Sequence, residues 1–486
     1  MTICFEGCDH KYEIEAVMKL FLPVEHFKFL FDENFSEDIS DDHTIISDKE
    51  GILSVKTVLN GDTRVRENTD NVPQSEREQT LCRMLYLNLT ELTGITPKWG
   101  CLTGIKPVKK VNALLEKGLS PEEAFNELNQ KYFISEEKFR LAHMVSRTQK
   151  ELLSENKPNS YSLYIAIPFC PTRCAYCSFV SHSIKSPEAA KLIPEYTDKL
   201  CRELELTAKA AKDLGFSLDT IYIGGGTPTA IPAENLEKIM KKIAECFDIS
   251  AAREYTVEAG RADTITEEKL RVIKNMGATR ISVNPQTMVD SVLRAVGRQH
   301  TAAQVEECFS LARRLGFDNI NMDTIAGLPT DTAEGFAYTI DKLISLDPEA
   351  ITVHTLTVKR SADLFARSDE VKKNISPDET DKMVSYAQKR LTESGYSPYY
   401  LYRQKNTVGN LENVGYSKKG FESLYNIYIM DETQNILAAG ASGSSKLIDP
   451  ITGEIRRIVN YKYPYEYISR FDMMIDKKLS GLYSGK

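Results

Sequence analysis

Three cysteines carry the clearest chemical signal in the chain: Cys170, Cys174 and Cys177, in the run Phe169-Cys170-Pro-Thr-Arg-Cys174-Ala-Tyr-Cys177. An apolar stretch, Tyr164 to Ile167, leads into them and reads as a strand. Pro168 and Pro171 forbid helix and bar a central ladder position, so the thiols fall on a loop at that strand's C-terminal end. Two closures suit such a loop. Three thiolates can hold three corners of a cubane iron–sulfur cluster, leaving the fourth iron open. Alternatively, His182, five residues after Cys177, completes a tetrahedral zinc knuckle. Zinc knuckles usually pair with a second cysteine pair farther along, and none follows here.

The elements that position this loop alternate. Strands are expected at 161–167, 218–223, 253–258, 279–284, 318–325 and 349–355, separated by helices near 188–213, 232–246, 266–276, up to 315, and 331–346, with a last helix at 376–394. Six strand–helix units in succession imply a parallel sheet that curls toward a barrel, with its site over the strand C-termini. Polar constellations stand at those ends. The second strand runs into Gly224-Gly225-Gly226-Thr227-Pro228, glycines that let a ligand approach the backbone, without the Lys-Ser/Thr of a nucleotide-binding loop. The third ends at Glu258, an acceptor suited to two hydroxyls. Gln286 closes the fourth, Arg298 follows one helix later, and the fifth ends Asn321-Met322-Asp323 before Gly327-Leu328-Pro329.

The Cys-x3-Cys-x-aromatic-Cys pattern after a strand resembles the signature of the radical S-adenosylmethionine (SAM) superfamily. Ile167-Pro-Phe-Cys170 and Pro171-Thr-Arg-Cys-Ala-Tyr-Cys-Ser-Phe179 are similar to the oxygen-independent coproporphyrinogen III oxidase family, in particular its HemZ-type branch. The resemblance implies an α/β fold, a partial (β/α)6 TIM-like barrel, with an N-terminal α/β or α+β domain and a C-terminal extension. It implies a [4Fe-4S] cluster on Cys170, Cys174 and Cys177, whose open iron takes the amino and carboxylate groups of SAM. It places Tyr164, Tyr176, Gly225, Gly226, Thr227, Glu258, Gln286, Arg298 and Asp323 around SAM. In that family the radical formed from SAM removes a hydrogen from a propionate β-carbon of coproporphyrinogen III, and loss of CO2 and an electron leaves a vinyl group. The implied partners are therefore a tetrapyrrole substrate and an electron donor such as flavodoxin or ferredoxin.

Two segments near the C-terminus share the resemblance. Tyr402-Arg403-Gln-Lys405-Asn406 and Gly409-Asn-Leu-Glu412-Asn-Val-Gly415-Tyr416 look like a HemZ-type run, expected to form a lid or substrate-facing element. Arg403 is assigned there as the cation for a propionate and, with Tyr164, to the catalytic set; Lys405 and Arg173 are further candidate cations. Gly440-Ala-Ser-Gly-Ser444 resembles a small-residue turn near the cofactor. The chain also departs from its relatives. Phe179 stands where the oxidase branch has a fourth Cys, and Tyr425-Asn426-Ile-Tyr-Ile-Met replaces the His-Asn-x-x-Tyr-Trp of the heme-chaperone branch. A heme-binding or heme-transfer protein and a radical SAM tetrapyrrole methyltransferase are thus the competing readings.

Nothing in residues 1–155 carries chemistry by itself. Lys11 to Met18 and Ile52 to Leu59 read as alternating strands, Asn60-Gly61-Asp62 as a turn, and Ser75 to Thr93 as a helix closed by Gly94. Ser120-Pro-Glu-Glu123 is a capping box, and Ser135 starts a further helix. Trp99 lies on a loop of unassigned role. The polar stretch Asn156 to Ser160 sets the boundaries at 1–155, 156–360 for the SAM core, and 361–486. With 486 residues, 42% hydrophobic content and a net charge of −8, the chain offers no basic stripe for nucleic acid. It has no run long enough for a membrane span and no basic-then-apolar leader, so a cytoplasmic location is expected. Its ten cysteines then belong to a reducing compartment; Cys201, Cys246 and Cys308 read as helix-borne core thiols.

Overall fold

The computed structural model describes residues 1–484 except 24, 32–38, 105, 180, 358, 360–361, 364–375 and 405–406. The chain forms two compact units. One comprises residues 1–146 with the described parts of 369–378 and 402–412; the other comprises 147–368, 379–401 and 413–486.

In the first unit, β1 (Thr2–Glu6) pairs in parallel with β2 (Lys28–Phe31) and β3 (His43–Lys49). β3 continues antiparallel into β4 (Ile52–Leu59) and β5 (Asp62–Asn68). The Asn60-Gly61 turn has φ of 51° and 86°, the left-handed pair that a two-residue hairpin requires. Helix Gln74–Thr93 covers β4 and ends at a left-handed Gly94. Lys11 to Met18 is not a strand. It opens a helix, Lys11–Phe21, because Ile14, Val17, Met18 and Phe21 recur at helical spacing and are the residues buried. That period outweighs the local alternation. Helix Pro121–Tyr132 starts with the expected capping box, Ser120 and Glu123 exchanging both bonds.

The second unit holds a sheet whose parallel core is β6 (Ser160–Ile167), β9 (Ser217–Gly225), β10 (Glu254–Gly260), β11 (Arg280–Val283), β12 (Ile320–Ala326) and β13 (Ala350–Thr355), adjacent in chain order. Between β6 and β9 lie two short strands, β7 (Phe169–Cys170) and β8 (His182–Ser183), which pair with each other. The core strands are buried almost without interruption, as strands covered on both faces must be, with Ser162, Glu254, Thr256 and Asn321 among the buried polar side chains. Helices Ile193–Asp213, Ala233–Cys246, Glu267–Asn275, Ala302–Arg314 and Ala333–Leu346 return the chain between them. Thr266, Thr301 and Thr332 each cap a helix through a side-chain oxygen, which fixes where the strand-end loops stop. This is the partial (β/α)6 barrel.

Residues 361–486 do not form a separate third domain. β14 (Ser397–Arg403) and β15 (Glu412–Ser417) extend the sheet beyond β13, and β16 (Asn435–Ala439) adds in parallel to β6, followed by β17 (Ser444–Ile448) and β18 (Ile455–Val459). Both edges of an open barrel would otherwise expose unpaired backbone, and these strands satisfy it. The first boundary falls at 146/147, within helix Glu136–Leu153, and not at 155. Among the described residues no helix is long and apolar enough to cross a membrane.

Candidate active site

The cysteine loop leaves β6 at Pro168 and is pinned on several sides. Pro168 O accepts the His182 N–H at 2.8 Å, Cys170 O accepts the Ile184 N–H at 2.9 Å, and Ala175 N donates to Val296 O at 3.1 Å. Cys170 and Cys177 are partly buried and Cys174 is buried. Burial pushes the Cys177 thiol up to about 11, with Cys174 and Cys170 adding to the shift, and raises Cys170 as well. Metal binding must displace these protons. Among the described residues no three His, Cys, Asp or Glu side chains are already gathered into a metal geometry. The donor set nonetheless fits an iron–sulfur cluster better than zinc. It consists of three thiols on one loop with a buried cation, Arg261, against Cys174, whereas the His182 ring is held edge-on by Tyr463 and Tyr465.

The glycine loop at the end of β9 lies against the cysteine strand. A Cβ on Gly226 would sit 2.6 Å from Phe169 O and 2.8 Å from Ile167 O, so only glycine fits there. The N–H groups of Gly226 and Thr227 are spent on Ile167 O and Phe169 O, both at 2.8 Å. They cannot cradle an anion, which removes the phosphate-loop possibility. Thr227 Oγ1 is 3.4 Å from Cys170 Sγ.

Glu258, at the end of β10, accepts the Tyr222 hydroxyl proton at 2.5 Å. Burial raises its carboxyl to about 7 and Asp323 adds to the shift, while the Tyr222 bond opposes it. Tyr222 and Tyr164 both stack on Tyr425, with centroids 4.3 and 6.0 Å away. Gln286 takes a left-handed φ of 68°. Its N–H donates to Asp323 O and its carbonyl accepts from Ile325, which ties β11 to β12. Asp323 accepts from Asn321 Nδ2 at 2.7 Å and lies 3.9 Å from His354 Nε2. Arg298 Nη1 donates to Asn284 O and Pro285 O, and Arg298 is also charged against Tyr176. Among the described residues, Asn284 Oδ1, Gln286 Oε1 and Arg298 Nε are buried with no hydrogen-bond partner. Orphaned acceptors and a guanidinium N–H at one rim fit a zwitterionic ligand such as SAM.

The structure thus brings the cysteines, Tyr164, Tyr176, Gly225, Gly226, Thr227, Glu258, Gln286, Arg298 and Asp323 to one set of strand ends. Arg403 is not among them. It ends β14, is 3% exposed, and donates to Leu102 O and Gly104 O with its guanidinium 5.2 Å over the Trp99 ring, all within the first unit. Burial lowers its pKa to about 10, which Glu412 opposes. A side chain so enclosed holds its own fold together and is not a lid cation. Lys405 lies outside the described residues, and Arg173 is 42% exposed beside Asp363. Sequence reading missed Tyr222, Tyr425 and Arg261. Arg261 had a signal, standing three residues past Glu258 at a strand end; Tyr425 had none, because its partners are remote in sequence.

Comparison with known proteins agrees with this geometry. The sequence pattern of the radical SAM superfamily matches residues 164–343. A structure entitled coproporphyrinogen III oxidase (HemN) from Escherichia coli superposes with a TM-score of 0.52 at 22% identity, covering 68% of this chain and 73% of that one, which shows a shared fold. The oxygen-independent coproporphyrinogen-III oxidase-like protein HemZ of Bacillus subtilis (strain 168) is 42% identical over 82% of this chain and 80% of its own length. The heme chaperone HemW of the same organism is 31% identical over 63% and 77%. The chain belongs to the radical SAM superfamily, in the family of oxygen-independent coproporphyrinogen-III oxidase-like proteins. Members of the superfamily use a [4Fe-4S] cluster and SAM, and these are its cofactors.

Proposed function

We propose that this chain catalyses the oxygen-independent oxidative decarboxylation of coproporphyrinogen III propionates to vinyls, ending at protoporphyrinogen IX. One observation supports the reading above others: unspent polar atoms of Asn284, Gln286 and Arg298 stand at the strand ends that also carry the three thiols. A rim prepared for an organic zwitterion beside a metal loop suits a cofactor consumed in turnover. Similarity to an oxidase-like relative over four-fifths of the chain supports the substrate class. When bound, the cluster and SAM supply one-electron reduction and hydrogen-atom abstraction, the chemistry an unactivated propionate β-carbon needs before CO2 and an electron depart.

The chain itself holds, orients and shields. Ionised Glu258 accepts from ribose hydroxyls, and Arg298 Nε meets a carboxylate. The wall of Tyr164, Tyr222 and Tyr425 excludes water from the rim. A cytoplasmic location and a flavodoxin- or ferredoxin-type electron donor belong to the same proposal. The test incubates reduced, cluster-replete protein anaerobically with SAM and coproporphyrinogen III and reads products by mass spectrometry. Protoporphyrinogen IX or the singly decarboxylated intermediate is expected alongside 5′-deoxyadenosine. SAM cleavage with no decarboxylation under any reductant or acceptor would overturn the oxidase reading. Stoichiometric heme uptake would then favour heme transfer, a second reading supported by the 31% identity to a heme chaperone and by Phe179, which is 65% exposed just past the cysteine loop.

A further inference from the structure

Arg261 has no part in the contacts assigned to SAM, yet it bonds the ligand loop directly. It follows β10 and is 3% exposed. Its guanidinium divides its donors between two directions. Nε and Nη2 grip the two oxygens of Asp263 at 2.9 and 2.7 Å, a bidentate fork that fixes the plane of the group. Nη1 points the other way, donating to Thr172 O at 3.1 Å, Thr172 Oγ1 at 2.8 Å and Cys174 Sγ at 3.8 Å. Thr172 lies between the first two cysteines, and its hydroxyl also donates to Gly297 O at 3.3 Å. The fork is therefore aimed by one carboxylate and spends its free end on the loop and on one of its thiols. A structural arginine needs no sulfur; one that orders a metal loop gains from it.

We propose that Arg261 is a positioning residue for the iron–sulfur cluster: it clamps the ligand loop through Thr172 and sets a fixed cation against the Cys174 sulfur, raising the cluster's reduction potential. The sign follows from electrostatics. Reduction adds negative charge to a cluster already ligated by thiolates, and a nearby cation with an N–H directed at a ligand sulfur stabilises the reduced form more than the oxidised one. Asp263 is the element that keeps the fork from rotating away. Lysine in its place would keep the charge and lose the fork, whereas glutamine would lose the charge. The proposal rests on the three-thiol cluster reading.

The test reconstitutes wild-type, Arg261→Gln and Arg261→Lys proteins anaerobically, measures iron and sulfide, and follows the reduced cluster by electron paramagnetic resonance through a potentiometric titration. Wild type and R261K should hold the cluster, and R261Q should either hold it at a lowered potential or lose iron. R261Q should reduce with an equilibrium constant lower by roughly tenfold or more, about 59 mV for one electron, and R261K should fall between it and wild type. Loss of iron from R261Q with an unchanged apo-protein circular dichroism spectrum also supports the proposal, through the clamp. Full iron and wild-type potential in both variants overturn it. If R261Q does not fold, Asp263→Asn carries the test, since it frees the fork while keeping the cation. Release of iron to a chelator about tenfold faster than wild type then supports the clamp, and an unchanged release rate with an unchanged potential overturns it. Failure of the wild type itself to take up iron brings down the cluster reading and this proposal together, a result separable from all the others.

Discussion

The indole N–H of Trp99 donates to Glu412 Oε2 at 2.7 Å, joining positions 313 residues apart in the sequence. The other carboxylate oxygen accepts from Lys138 Nζ, also at 2.7 Å, and neither Lys138 nor Glu412 reaches solvent through its side chain. The Trp99 loop and the run around Glu412, which the sequence suggests as a lid or substrate-facing element, thus meet in one buried polar cluster. Burial alone would raise the Glu412 carboxyl, but the charge and hydrogen bond of Lys138 with the Trp99 N–H hold it below the usual carboxylate range. A depressed folded-state pKa contributes stability that is full above the unfolded value and is lost as pH falls through the folded one. Stability should therefore decline as pH drops below the ordinary 4.5 of the free group. Replacing Glu412 by Gln should cost about 3 to 5 kcal/mol at neutral pH, the usual penalty for breaking a buried pair. Denaturant midpoints for both proteins across pH check this, and E412Q should lose that acid-limb dependence.

Iron content separates ligand cysteines from packing cysteines. Reconstituted wild type should carry about four irons and four sulfides per chain, and alanine at Cys170, Cys174 or Cys177 should abolish the cluster. Alanine at Cys201, Cys246 or Cys308 should not, since these lie in helices Ile193–Asp213, Ala233–Cys246 and Ala302–Arg314. Stable zinc without iron uptake would sink the assignment.

SAM affinity should depend on pH through Glu258. Burial raises its carboxyl to about 7, so in the free protein the acceptor form is the minority species below that pH. If ionised Glu258 receives the ribose hydroxyls, SAM should bind roughly tenfold more weakly near pH 6 than near pH 8, with a plateau above. Glu258→Gln should weaken binding at pH 8 by about tenfold, the loss of a charge-assisted hydrogen bond, and should flatten the profile. The same raised pKa means that the folded protein holds an extra proton between 4.5 and about 7, so this group lowers stability as pH rises through that window. Calorimetric titration with SAM at several pH values decides; a parallel pH dependence in E258Q would assign it elsewhere.

What was legible in the sequence was whatever is decided locally. The strand–helix alternation from Ser160 to Thr355 follows from apolar runs closed by Pro168, Gly225 and threonine caps, each of which acts within a turn or two. The cysteine spacing and the strand-end residues belong to the same category. Lys11 to Met18 failed because its eight residues satisfy a period of two as well as one of 3.6, and only burial of Phe21 in the next turn separates them. Tyr425 was out of reach because its stacking partners, Tyr164 and Tyr222, meet it only across the folded barrel. The third domain failed for a related reason: β16 is short and gives no sign in sequence that its partner is β6.

Arg403 is the sharpest reversal and yields the last prediction. Polar, glycine-punctuated sequence around it suggested a mobile loop, and an arginine in such a loop suggested a clamp for a propionate. In the fold it terminates a strand, bonds the main-chain carbonyls of Leu102, Gly104 and Asn410, and stacks on Trp99. Removing it leaves those carbonyls without their donor and a void beside the indole. Arg403→Ala should therefore lower unfolding free energy on the order of 2 kcal/mol or more, one charged hydrogen bond with its stacking, and Arg403→Lys should recover only part, because an ammonium cannot reproduce the fork. SAM cleavage and decarboxylation should fall together, in proportion to the folded fraction, and both should be restored by lower temperature. The contrary outcome is specific: wild-type stability and SAM cleavage with decarboxylation alone abolished would return Arg403 to the substrate. Denaturation curves run beside both product assays distinguish the two, since a scaffold residue shifts all three measurements and a substrate clamp shifts one.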